Sequence, residues 1–130
     1  MYLLFDLSTK DVIHLALFDA RTIEHKNYSG RNRELLNCIH NLSKIKNYKL
    51  QIKNLSGIMV VVGAGGFTST RVACVVANTF AHVLQIPLLA ITKAEAPDPQ
   101  KLIPKLLKQK PGNYISATYS GEANIGRKKV

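Results

Sequence analysis

One stretch, "GIMVVVGAGGFTSTRVACVVANTFAHVLQIPLLAI" from Gly57 to Ile91, limits the folds open to this chain more than any other. Gly57 to Val62 is apolar at almost every position, the mark of a strand buried on both faces. A glycine cluster breaks it. The chain resumes at helical spacing from about Thr68 to Leu84, and "IPLLAI" from Ile86 to Ile91 reads as a second buried strand. Strands of this kind need a covering layer, which places the chain among α/β proteins. Within the helix the polar positions Arg71, Asn78, His82 and Gln85 fall along one narrow stripe, so the pattern predicts burial on more than one side. Ala73, Ala77 and Ala81 form a row of small side chains that admits a close neighbour, either the preceding helix of this chain or a partner protein.

The flanking segments complete the pattern. Leu3, Phe5 and Leu7 alternate with their neighbours and "VIHLALF" from Val12 to Phe18 is strongly apolar, so both read as strands joined through "STK". Thr22, Ile23 and Tyr28 make a weaker third strand at the sheet edge. From Arg31 to about Lys46, the residues Leu35, Leu36, Ile39, Leu42 and Ile45 give one apolar helical stripe, followed by a polar, basic connection from Asn47 to Ser56. After the last strand, "EAPDPQ" reads as a linker. Asp98 as N-cap and Pro99 at the first helical position then open a short basic helix through Gln109, which Pro104 kinks. The tail from Tyr114 to Val130 offers one short strand, near Tyr114 to Thr118. This order predicts a single ribonuclease H-like domain, the unit actin-like ATPases use twice, with a mixed five-stranded sheet flanked by helices. The expected division is a lobe over 1–94, then a linker, short helix and basic tail over 95–130.

Composition narrows the function. With 130 residues the chain has room for one ordinary domain. No apolar run reaches the roughly 18 residues of a membrane span, and "MYLLFDLSTKDV" meets charge too early for a signal peptide, so a cytoplasmic protein is expected. Cys38 and Cys74 lie in apolar segments without CxxC spacing and read as buried thiols. His14, His25, His40 and His82 lack ligand spacing, so neither a metal nor a cofactor is expected. The 18 Lys and Arg against 8 acids give a formal charge of +10. Such an excess fits either a nucleic-acid partner or a solvated basic surface.

Two stretches are candidates for chemistry. "DLST" at Asp6 to Thr9 sits between the first two strands, where a hairpin can hold phosphate, although a strand-end turn explains it as simply. "GAGGFT" opens a helix, where backbone amides favour anions. It lacks the lysine of GxxxxGK[ST], and Thr68 replaces the last glycine of GxGxxG, so a tight turn is the plainer reading. Catalysis by this chain alone is not expected. The competing reading is a nucleotide- or anion-binding module built on the same residues.

Taken together, "LLFDLSTKDVIHLALF" and the Gly57 to Thr92 segment resemble the TsaB (YeaZ) family of tRNA threonylcarbamoyladenosine biosynthesis. The family's DTST-type turn matches Asp6, Leu7, Ser8 and Thr9. Its GPGSFTGxR signature matches Gly63, Ala64, Gly65, Gly66, Phe67, Thr68, Ser69, Thr70 and Arg71, with Ala64, Gly66 and Ser69 departing from the pattern. "YSGEANIG" at Tyr119 to Gly126 is similar to the family's terminal segment, which makes the chain look like an internally shortened member lacking most of the second lobe. The resemblance implies a noncatalytic subunit that pairs through first-lobe helices with a TsaD-like catalytic subunit. A TsaE-like ATPase joins that assembly, which modifies the adenosine beside the tRNA anticodon. The partner-facing residues it suggests are Leu35, Ile39, Leu42, Ala73, Val76, Ala77 and Phe80. Direct tRNA contact by basic loops, and a homodimer through the same helices, are further expectations.

Overall fold

The computed structural model describes residues 1–43, 54–112 and 115. The strands are β1 (Tyr2–Asp6), β2 (Val12–Phe18), β3 (Ile23–Ser29), β4 (Gly57–Val61) and β5 (Leu88–Ile91). They form one mixed five-stranded sheet in the order β3-β2-β1-β4-β5. β1 runs antiparallel to β2 and parallel to β4, and β4 runs parallel to β5. The expected meander, and the place of β3 at an edge, are as the pattern indicates. On that edge Glu24 and Lys26 form an ion pair of 3.5 Å, and charge here discourages further strand pairing.

The alternation of side chains sorts the sheet into two apolar faces. Leu3, Phe5, Leu15, Leu17, Ile58, Val60 and Leu88 belong to one core. Helix α1 (Leu35–Ser43) and helix α2 (Phe67–Leu84) cover it, contributing Leu35, Cys38, Ile39, Ala73, Cys74, Ala77 and Ala81. Leu4, Ala16, Phe18, Met59, Val61, Leu89 and Ile91 form the second core. A 3-10 turn (Pro99–Leu102) and helix α3 (Ile103–Leu107) lie over that face, and Ala96, Ile103 and Leu106 enter it. The segment after residue 94 therefore supplies the second covering layer of the sheet.

Several local expectations need correction. The first helix opens as a 3-10 turn at Asn32–Glu34, and Leu36 on α1 is 57% exposed instead of joining the apolar stripe. Asp98 makes no capping bond. A 3-10 turn follows it, and its carboxylate instead pairs with Lys101 at 3.3 Å. Pro104 changes the helix type instead of kinking one helix, because a residue without an N–H cannot extend the hydrogen-bond ladder. Only one side of α2 is buried: Val75 and Val83 are 61% and 69% exposed. The alanine row faces the sheet, where small side chains let the α2 backbone approach β4. The C-terminal end of the first helix near Lys46, the connection from Asn47 to Lys53 and, apart from Ile115, the strand expected near Tyr114 to Thr118 lie outside the described residues.

Candidate functional site

The two sequence motifs meet in space. β1 ends at Asp6, and the turn that follows passes through Asp11 in the left-handed region at φ 57°. Gly65 packs on that turn: a Cβ there would lie 2.6 Å from the Ser8 Cα and 2.7 Å from the Ser8 carbonyl oxygen. Its φ of +79° and that of Gly63 at +77° also favour glycine. Gly66 has neither constraint, with φ −79° at the α2 N-cap and open space around its Cα. Thr70, one turn into α2, donates its hydroxyl to the Gly66 carbonyl at 3.0 Å and fixes the start of the helix. Between the loops lies a cavity of about 370 Å³ lined by Leu7, Ser8, Lys10, Asp11, Gly65, Gly66 and Ser69. Thr9 and Thr68 are exposed beside it, as is Arg71 one turn further along α2. Phe67 belongs to α2, but its side chain lies outside the described residues.

Asp6 is the buried charge of this region, 3% exposed. Its Oδ1 accepts from the Ser8 amide at 3.0 Å and from the Ser8 hydroxyl. Its Oδ2 accepts from Lys93 Nζ at 2.7 Å. Burial pushes the carboxyl upward, but the bonds from Lys93 and Ser8 outweigh it and hold the group below the usual aspartate value of 3.8. A tight turn places Lys93: Glu95 accepts from the Thr92 amide at 2.8 Å, and the Glu95 amide donates to Thr92 Oγ1 at 3.3 Å. Sequence reasoning finds Asp6 but misses Lys93, which lies 87 residues away. A lone lysine ending an apolar strand carries no pairwise signal.

The pair makes a stability prediction. Asp6→Asn keeps the shape but removes the charge, and Lys93, half-exposed, can return to water. The expected cost is about 1–2 kcal/mol. Because the folded carboxyl titrates below 3.8, its contribution is complete above that pH and is lost as pH falls from 3.8 towards the lower folded value. Denaturant melts from pH 7 to 3 should give the wild type a steeper acid loss than Asp6→Asn. Parallel curves would remove Asp6 as an ionised structural group.

On the same sheet face, His14 lies opposite Asp6 in the β1–β2 register. His14 Nε2 and His25 Nδ1 are 2.9 Å apart, with the rings at 84°. Burial first, and the neighbouring His25 second, lower the His14 pKa. A cavity of about 380 Å³ here is lined by Thr9, His14, Asn27 and Lys93 among others.

On the other face of the sheet, α2 carries apolar residues on its outer side. Val72, Val75 and Val76 with Thr68 and Arg71 line an open groove of about 360 Å³ on the outer side of α2. Of the residues suggested as partner-facing, Leu35, Ile39, Ala73 and Ala77 are at most 1% exposed and belong to the core. Val76 and Phe80 are partly buried at its margin, and the Leu42 side chain lies outside the described residues. Leu36, Val75 and Val83 are exposed apolar residues of these two helices that the set misses. Asn78 on α2 holds Ile115 at both backbone atoms: its amide donates to the carbonyl and its Oδ1 accepts from the N–H, each at 3.0 Å.

A family model described as TsaD, tRNA N6-adenosine threonylcarbamoyltransferase, matches residues 31–118. No curated protein matches the chain. Among solved structures, YeaZ from Pseudomonas aeruginosa superposes with a TM-score of 0.61 at 23% identity, over 70% of this chain and 43% of that one. A second structure, an uncharacterized protein from the same organism with similarity to peptidase YEAZ, gives 0.61 and 23% over 70% and 42%. The chain thus spans less than half the length of these neighbours, and at this identity they speak for the fold. Among the described residues no helix is long and apolar enough to cross a membrane. The YeaZ structures share this chain's ribonuclease H-like fold, and the family match, which covers well over half of the 130 residues, establishes that the chain belongs to the TsaD family.

Proposed function

We propose that this protein is a noncatalytic subunit that pairs with a TsaD-like enzyme in tRNA threonylcarbamoyladenosine modification, using the outer side of α2. The single observation that supports this reading is the exposed apolar surface of α2, where Val75 and Val83 are 61% and 69% exposed and Val75 lines a groove together with Val72 and Val76. Large aliphatic side chains in a row on a rigid helix are what a partner's apolar side chains can cover. Leu36, 57% exposed, is a further outward apolar residue on α1, which covers the same sheet face. A passive role for the motif loops fits their geometry, because both carboxylate oxygens of Asp6 already accept hydrogen bonds.

The test is co-purification with the TsaD-like protein of the same organism, followed by light scattering at low and high salt. A salt-resistant heterodimer is expected. Val75→Asp with Val83→Asp should weaken it by at least tenfold, about 1.4 kcal/mol, without lowering thermal stability. A complex indifferent to both substitutions would sink the α2 interface. A self-complementary α2 face would instead appear as a homodimer lost in the same variant. The anion-binding alternative requires ATP with magnesium to bind the isolated chain and Asp6→Asn to abolish that binding.

A further inference from the structure

We infer that the outer side of the α3 layer is an RNA-backbone contact surface, on the opposite side of the sheet from the proposed protein interface. This deepens the function proposed above and rests on it for the identity of the RNA. Lys101, Lys105 and Lys108 recur at i, i+4 and i+7 along the 3-10 turn and α3, and all three are exposed. Lys110 follows them, also exposed. The direction of the row is fixed by what lies beneath it. Ile103 and Leu106 of the same turns are buried against the sheet at 8% and 0% exposure, so the lysines face outward by the helical period.

From Glu95 to Gly112 two acids stand against four lysines: Asp98 is engaged with Lys101 at 3.3 Å, and Glu95, held by the Thr92 amide, lies within electrostatic reach of Lys105, so the span keeps a net positive charge. From Lys101 to Lys108 the row covers about 11 Å at the usual rise per residue, enough to follow several phosphates along a strand. Lysine heads on flexible stems suit this contact, because they act as point charges that do not demand one fixed orientation of the phosphate. A chain of formal charge +10 favours a polyanion over a neutral partner.

Position separates the two surfaces. α1 and α2 cover one sheet face and α3 covers the other, so a protein seated on Val75 and Val83 leaves the lysine row open. An RNA and a protein partner can therefore bind together. An acidic protein surface is the competing occupant, and it would make lysine removal weaken the partner complex instead.

The experiment compares the full chain with a Lys101→Gln, Lys105→Gln, Lys108→Gln variant for binding an unmodified tRNA transcript between 50 and 200 mM salt. Thermal melts first check that the variant keeps the wild-type midpoint, as surface changes should. The expected result is a tenfold or greater loss of tRNA affinity at low salt and a salt slope shallower by about 2–3, one per phosphate contact removed. Affinity for the TsaD-like protein should not change. Equal tRNA binding by both proteins overturns the inference, and so does weakening of the protein complex alone. If no TsaD-like complex forms at all while the lysine row still governs tRNA binding, the proposed pairing fails and the RNA surface stands.

Discussion

Gly65→Ala is expected to destabilise the fold by about 3 kcal/mol, the sum of left-handed strain and a steric clash with neighbouring backbone. The added methyl would come within 2.6 Å of the Ser8 Cα and 2.7 Å of the Ser8 carbonyl oxygen, neither of which can swing aside as a side-chain end could. Relief requires the glycine loop and the β1–β2 turn to separate. That motion pulls on Ser8, whose amide and hydroxyl hold Asp6. The melting midpoint should fall by roughly 10 °C. Gly66→Ala is the internal control. Its φ of −79° suits any residue and nothing lies within 4 Å of the added methyl, so its cost should stay within about 1 kcal/mol. Thermal melts of the two variants side by side decide the matter. Equal midpoints would mean that the glycines serve only to turn the chain, and that the contact between the two motif loops carries no stability.

The contrast between those adjacent glycines also marks the limit of sequence reading here. A glycine cluster before a helix announces a turn, but which glycine is pressed against another segment depends on a contact between residues 8 and 65. The strands were legible because a sheet with two covered faces writes apolar runs at a fixed period, and the helix from about Thr68 to Leu84 was legible for the same reason. What the period could not supply is the identity of the covering layer. Val75 and Val83 look like core residues in a helical projection, and they become surface only once the sheet is seen to cover the Ala73, Ala77 and Ala81 side alone. The partner-facing set suggested by the resemblance therefore mixed core positions such as Leu35 and Ala77 with marginal ones such as Val76 and Phe80. Lys93 was invisible for a different reason, since a pair 87 residues apart leaves no mark on either local pattern. Strands apolar on both faces demand two covering layers, and after α1 and α2 only the segment beyond residue 94 remained to provide the second.

That second layer sets the last expectation: Leu106→Ala should cost about 3–4 kcal/mol, within the range for deleting a buried leucine. Leu106 is 0% exposed and fits so closely against the start of β4 that a Cβ at Gly57 would lie 2.7 Å from its Cδ2. α3 spans only Ile103–Leu107, far too short to persist as a helix on its own, so its order depends on this packing. Removing the anchor should release the layer and wet the sheet face carrying Leu4, Met59 and Ile91. Leu107→Ala supplies the comparison, because a leucine 55% exposed on the next position should cost well under 1 kcal/mol. Urea titrations, with limited proteolysis across residues 95–107, read both the energy and its location. A large loss for Leu106→Ala with new cleavage in that segment is the expected pair of results. If both variants unfold at the same urea concentration, the α3 layer does not hold the sheet. The lysines above it would then lack the fixed helix that the RNA-contact row requires.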